Sequence, residues 1–264
     1  MPRINLEYMA TYKKRGYKPA TKEEKEHDIV DHSTTAEVFN TLDESASKTE
    51  DWVIANQKYI FIIIGIVAAV VLGYLGFKEF IAKPKQSEAM NEIFQAKKYF
   101  NEAVAGTASD SLYTLSLNGG EGKLGMLDIA SEYSGTKAGN IANYYAGMAY
   151  LNLKDYKNAI SYLGEFSSDD QVLAPMAKGS IGDAFVQLNQ PEDALGYYEQ
   201  AAKLKANEFT TPLYLHKAGV IALELGKTDK ALTYFKDIKE NYASSTEATN
   251  IDVFIGKAQA LANK

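Results

Sequence analysis

Residues 144–163 read Tyr-Tyr-Ala-Gly-Met-Ala-Tyr-Leu-Asn-Leu-Lys-Asp-Tyr-Lys-Asn-Ala-Ile-Ser-Tyr-Leu, and the same skeleton returns twice downstream. Gly147, Gly182 and Gly219 are 35 and 37 residues apart, as are Ala159, Ala194 and Ala231. Each Gly leads its Ala by 12 residues. Four positions past each Ala stands a bulky residue, Leu163, Tyr198 or Phe235, and seven past it stands Phe166, Ala201 or Ile238. Tyr150, Phe185 and Ala222 follow the glycines by three. Turn chemistry separates Gly from Ala each time: Asn152-Leu153-Lys154-Asp155, Asn189-Gln190-Pro191-Glu192 and Gly226-Lys227-Thr228-Asp229.

This framework predicts two antiparallel helices per unit, with the small Gly and Ala placed where backbones approach closely. One such hairpin cannot bury its apolar face alone, so units stack. The period and the small-residue positions are those of a tetratricopeptide repeat. Three repeats are expected at 140–173, 175–208 and 212–245, with Pro175 and Pro212 opening their first helices, where a missing N–H costs nothing. Ile251, Phe254, Ile255, Ala258 and Leu261 share one helical face, which predicts a capping helix within 246–262.

Upstream, residues 79–135 read as a long helix and a divergent first repeat. Ile93, Phe94, Lys97 and Phe100 recur at helical spacing after an expected bend at Pro84, and Leu124, Leu127, Ile129 and Tyr133 mark a further helix. A loop is expected at 106–120, running into Asn118-Gly119-Gly120-Glu121-Gly122.

Further toward the N-terminus, Tyr59–Phe77 is a run of 19 residues without a charge. As a helix it spans roughly 28 Å, close to the ~30 Å hydrocarbon thickness of a bilayer. Lys58 and Lys78 bracket it, and Trp52, Tyr59, Tyr74, Phe77 and Phe80 supply aromatics near the two interfaces. Residues 58–78 are therefore read as one transmembrane helix. Gly65, Ala69, Gly73 and Gly76 fall on one face of it, opposite Ile63, Ile66, Val67, Val70 and Val71. Small residues let membrane helices approach closely, so this face is a candidate packing surface. Lysine and arginine counts near the membrane favour a cytoplasmic C-terminus and counts over the whole tail favour a cytoplasmic N-terminus, so charge alone leaves the orientation open.

Residues 1–57 form the N-terminal tail. Its first part is basic and Tyr-containing, with no apolar periodicity before Ile29, and reads as disordered. Residues 12–25 offer lysines and tyrosines suited to a contact with the ribosome or anionic lipid, although a solvated tail is the simpler reading. Met9 is an alternative start. Ser33 or Thr34 with Glu37 suits a helix cap, and short amphipathic helices are expected at about 35–57.

Composition narrows the chemistry. Lys+Arg number 28 against 34 Asp+Glu, a net charge of −6 that disfavours a nucleic-acid binder. Cysteine is absent, which removes disulfides, thiol catalysis, cysteine-ligated metal and a lipidated cysteine anchor. The only histidines are His27, His32 and His216, and the first two lie in the tail with no third ligand. Asn118–Gly122 lacks the GK[ST] ending of a phosphate loop. Asp169-Asp170 and Glu192-Asp193 read as loop and helix-start acids. No catalytic constellation, metal site or cofactor site emerges, and the chain reads as a non-enzymatic scaffold.

The concave face of such repeats is lined by positions 2, 5, 9, 12 and 13 of each first helix, counted with the Gly at position 8. That places Ile141, Tyr144, Met148, Leu151 and Asn152 in the groove, then Met176, Gly179, Asp183, Val186 and Gln187, then Leu213, His216, Val220, Leu223 and Glu224. Most are apolar and none is Lys or Arg, so a helix or hydrophobic segment is the expected occupant, either of a partner or of this chain's own N-terminal part.

Asp128-Ile129-Ala130-Ser131-Glu132-Tyr133-Ser134-Gly135-Thr136 leads directly into Tyr144, Gly147, Tyr150, Tyr156, Ala159 and Ile160. With a short tail, a single span and a repeat domain opening on a long helix, the chain resembles the YfgM-like family of bacterial inner-membrane proteins over residues 35–240. The Tyr-x-Gly-Thr element at 133–136 is the most specific part. The resemblance implies a cytoplasmic N-terminus, a periplasmic repeat domain and an ancillary role at the Sec translocon (SecYEG), beside a PpiD-like periplasmic chaperone. The basic tail and the expected loop at 106–120 depart from that family. The alternative function is an assembly factor of another envelope complex, serving outer-membrane protein insertion or cytochrome maturation.

Overall fold

A computed structural model describes the backbone of residues 33–106 and 109–263, and the side chains of residues 49–106 and 110–263. The basic segment 12–25, His27, His32 and the Ser33/Thr34–Glu37 cap lie outside the described residues or side chains. The chain divides into two units, Met1–Gly73 and Tyr74–Lys264.

In the first unit the described residues form one helix, α1 (Ser33–Phe77), which ends just inside the second. It replaces the separate short helices expected at 35–57: polar residues alone do not break a helix, and no Gly or Pro interrupts residues 33–64. The apolar window of α1 has no buried residue.

In the second unit a π turn at Lys78–Ala82 precedes α2 (Lys83–Ala105). Pro84, where the sequence leads one to expect a bend, closely follows this turn. Its ring would meet the carbonyl four residues back in a regular α-helix. The π turn widens the spacing just there, with the Lys83 N–H donating to the Lys78 carbonyl, and the helix continues.

Next come α3 (Ser109–Asn118) and α4 (Met126–Glu132). The loop expected at 106–120 is therefore mostly helix. Tyr113 and Leu117 are buried on its inner face, and the Tyr113 ring meets Phe100 edge-on with centroids 5.5 Å apart. Ser116, fully buried, interrupts the apolar pattern that would have announced the helix. The glycine-rich stretch after it is a tight turn rather than a cradle. Gly119 has φ +83°, and a Cβ on it would lie 2.2 Å from the Lys123 carbonyl oxygen.

Three helix hairpins follow: α5 (Lys137–Asn152) with α6 (Tyr156–Glu165), α7 (Leu173–Gln187) with α8 (Pro191–Lys203), and α9 (Thr210–Glu224) with α10 (Thr228–Asn241). A 3-10 turn (Thr246–Asn250) leads into α11 (Ile251–Ala262). The architecture is an all-α solenoid, and no strand occurs among the described residues.

Local chemistry sets the helix ends. Thr136 caps α5 by accepting from the Gly139 N–H at 3.0 Å, and Asp155 caps α6 through the Asn158 N–H. Asp170 accepts from the Val172 and Leu173 N–H groups at 2.8 Å, which holds its carboxyl below the usual carboxylate range. Asn207 does the same for Phe209 and Thr210 at the start of α9. Each hairpin turn closes on a left-handed residue, Lys154, Asn189 or Gly226, followed by a hydrogen bond five residues back, as in Asp155 N–H to the Tyr150 carbonyl at 2.9 Å. Pro175 and Pro212 are buried at the third position of α7 and α9 rather than the first, still within the turn whose N–H groups lack intrahelical partners.

Packing explains the recurring glycines. A Cβ on Gly147 would lie 2.5 Å from Leu163, on Gly182 2.7 Å from the Tyr198 ring, and on Gly219 2.4 Å from the Phe235 ring. Each glycine thus receives the bulky residue that stands four past the Ala of its own hairpin. Ala159, Ala194 and Ala231 are themselves fully buried.

Candidate functional site

The first helices of the hairpins, α5, α7 and α9, carry the predicted concave positions, and the structure sorts those residues into two groups. Two are not free to line a groove, and a third is partly covered. Tyr144 is 8% exposed and packs with Leu163, Phe166, Ala177 and Ile181 between neighbouring hairpins. Gly179 is covered by Tyr214, whose ring would lie 1.9 Å from an added Cβ. The His216 ring sits edge-on to Phe254 of α11, with centroids 4.6 Å apart, and 6.0 Å from Phe235. Position 5 therefore faces the next repeat or the capping helix, because stacking buries it.

The remaining residues keep access to solvent. Ile141, Met148, Leu151, Met176, Asp183, Val186, Leu213 and Leu223 are half-buried, whereas Asn152, Gln187, Val220 and Glu224 are exposed. Leu151, Asn152, Asp183, Val186 and Gln187 meet in a cavity of about 410 Å³, joined there by Lys154, Tyr156 and Tyr198.

The carboxylate of this cavity is paired within the chain. The Tyr198 hydroxyl donates to Asp183 Oδ1 at 2.6 Å, and Lys217 Nζ donates to both carboxylate oxygens at 2.7 and 2.9 Å. Lys217 also lies 5.6 and 5.8 Å from the Tyr198 and Tyr214 ring centroids, which stack on each other at 6.3 Å. Burial and then the Asp183 charge push the Tyr198 and Tyr214 hydroxyls far above their ordinary range, so both stay neutral. Lys217 was missed in the sequence because it occupies position 6, off the concave register. The signal available was its spacing of 34 residues from Asp183, one repeat. The face is thus not purely apolar: Lys217 is committed to Asp183, and Lys154 lines the cavity beside it.

Gly65, Gly73 and Gly76 have nothing within 4 Å of an added Cβ, and Ala69 is exposed. Larger side chains on this face of α1 therefore meet no obstacle among the described residues. Among the described residues no group of three or more His, Asp or Glu side chains is placed to hold a metal. Asp170 serves as a helix cap, and Glu192 and Asp193 lie in the first turn of α8.

Stacked helix hairpins with a glycine seam and a concave face define a helical-repeat scaffold. Family models described as tetratricopeptide repeat match residues 142–169 and 180–246. The chain contains tetratricopeptide repeats, which serve as protein-interaction scaffolds. No curated protein matches it.

His216 gives the capping contact a pH dependence. Burial holds its imidazole below the ordinary value, opposed in part by Glu247. The unfolded chain titrates near ~6.5, so below that value it binds more protons than the folded chain. Stability is complete above about pH 7 and declines as acidification passes from ~6.5 toward the lower folded value. The melting temperature should fall between pH 7.5 and pH 5, and His216→Phe should flatten that fall. An unchanged slope in His216→Phe would assign it to other groups.

Proposed function

We propose that this chain is a non-enzymatic, single-span membrane scaffold, an ancillary subunit of the Sec translocon that couples protein export to a PpiD-like periplasmic chaperone. Its N-terminus is cytoplasmic and its repeats are periplasmic, in the bacterial inner membrane. The observation that supports this most is the pairing, in one chain, of an apolar helix whose apolar window is wholly unburied with a tetratricopeptide solenoid. The Tyr133-Ser134-Gly135-Thr136 element supports the finer assignment by resemblance. Its local role is also clear: Gly135 takes φ +80°, and Thr136 both donates to the Tyr133 carbonyl and caps α5.

In this reading Ile141, Met148, Leu151, Val186, Gln187, Val220 and Leu223 contact a partner segment, and Asp183, Tyr144 and His216 shape the face from beneath. Gly65, Ala69, Gly73 and Gly76 pack against a partner's membrane helix. Crosslinking in native membranes followed by mass spectrometry should recover translocon and chaperone peptides. Ala69→Leu with Gly73→Leu should lower that recovery while insertion and repeat folding persist, since the face is open among the described residues. Recovery of outer-membrane insertion or cytochrome-maturation components instead would overturn the Sec assignment. Unchanged yields in the double variant would leave α1 as an anchor only.

A further inference from the structure

A cavity of about 720 Å³ opens beside the π turn and the start of α2. Its apolar side is formed by Phe77, Ile81 and Met90, each more than half exposed. Its charged side carries Lys78, Lys83 and Lys85, and no carboxylate among the described residues lines it. Lys83 is shared with Glu79, and Lys85 lies 6.0 Å from the Tyr133 ring centroid. The far wall is the Ser134–Thr136 turn, tied to α2 by the Lys137 N–H donating to Gln86 Oε1 at 2.7 Å. In a chain with six more acids than bases, Lys78 and Lys85 stand beside an apolar cavity whose described lining holds no acid, while Lys83 is balanced by Glu79.

Position decides what such a cavity meets. Phe77 is both its first lining residue and the last residue of the uncharged run. At ~1.5 Å per residue, Lys83 stands about 9 Å beyond the end of that run. The headgroup layer on each side of a ~30 Å hydrocarbon core is roughly 5–8 Å deep. With α1 spanning a bilayer, the cavity would begin where hydrocarbon ends and extend through the headgroups.

We propose that this cavity seats an anionic phospholipid, its phosphate against Lys78 and Lys85 and its glycerol and upper acyl segments against Phe77, Ile81 and Met90. The assignment rests on the membrane-span reading of α1. Charge complementarity favours an anionic over a zwitterionic headgroup, and the apolar wall favours a lipid over a free phosphate.

The test uses the full chain, reconstituted into phosphatidylcholine vesicles with and without a minor fraction of phosphatidylglycerol. The protein is then extracted in mild detergent, and the retained lipid is quantified. Phosphatidylglycerol should be enriched several-fold over the vesicle composition. Lys78→Gln with Lys85→Gln should abolish the enrichment, whereas Lys97→Gln with Lys98→Gln, on α2 but outside the cavity, should preserve it. Insertion without enrichment, or equal enrichment in the cavity variant, overturns the lipid seat alone. Failure of the unaltered protein to insert into either vesicle overturns the membrane reading and this one with it.

Discussion

Phe235→Ala should destabilise the repeat domain by about 3–5 kcal/mol, the range for emptying a buried aromatic site. Phe235 has no exposed surface and is among the largest fully buried side chains. Its ring covers Gly219 and lies 5.4 Å from Phe254 of α11 and 6.0 Å from His216. One truncation thus loosens the α9–α10 hairpin internally and removes the surface on which the capping helix rests. Because repeats are stabilised chiefly by their neighbours, loss should begin at the C-terminal end. Hydrogen exchange should show α11 and α10 deprotected well before α5 and α6. Uniform loss across all three hairpins would mean that the solenoid unfolds as one unit.

Gly179→Ala should cost nearly as much through the opposite fault. The added Cβ would lie 1.9 Å from Tyr214 Cε1, so the ring must move. Tyr214 is only 4% exposed, stacks on Tyr198 and has Lys217 near its face. Displacing it disturbs the α7–α9 contact and the Lys217–Asp183 pair together. Overpacking of this kind costs about 1–3 kcal/mol, and more where neighbours cannot yield. The decisive measurement is a double-mutant cycle with Tyr214→Ala in chemical denaturation. If ring and methyl collide, the two losses should be non-additive by roughly 1–3 kcal/mol. Additive losses would place the cost in α7 itself.

Both predictions concern contacts whose partners are distant in sequence, and this is where reading the sequence stopped short. Tyr144, Gly179 and His216 share position 5, and a consensus register puts that position on the concave face. Stacking buries all or part of each, beneath a tyrosine, a phenylalanine or the capping helix. Lys217 escaped notice for the same reason. Its partner Asp183 is one repeat away, and adjacency across repeats depends on how the hairpins are offset. The helix at Ser109–Asn118 was missed because its buried Ser116 breaks the apolar period. Nothing in the sequence announces the π turn that precedes Pro84.

What the sequence determined by itself was whatever repeats along the chain or depends on near neighbours. The Gly–Ala period, the turn residues between them, the capping face of α11 and the uncharged run of α1 are all legible, because helix periodicity and turn chemistry act over a few residues. Only the tertiary structure decided that each seam glycine receives the bulky residue of its own hairpin. It alone joined Asp183 to Lys217 and Tyr198, and set three lysines around an apolar cavity where the uncharged run ends. Those arrangements depend on the packing of separate helices, and in a close-packed interior that is fixed by side-chain shapes meeting across many intervening residues.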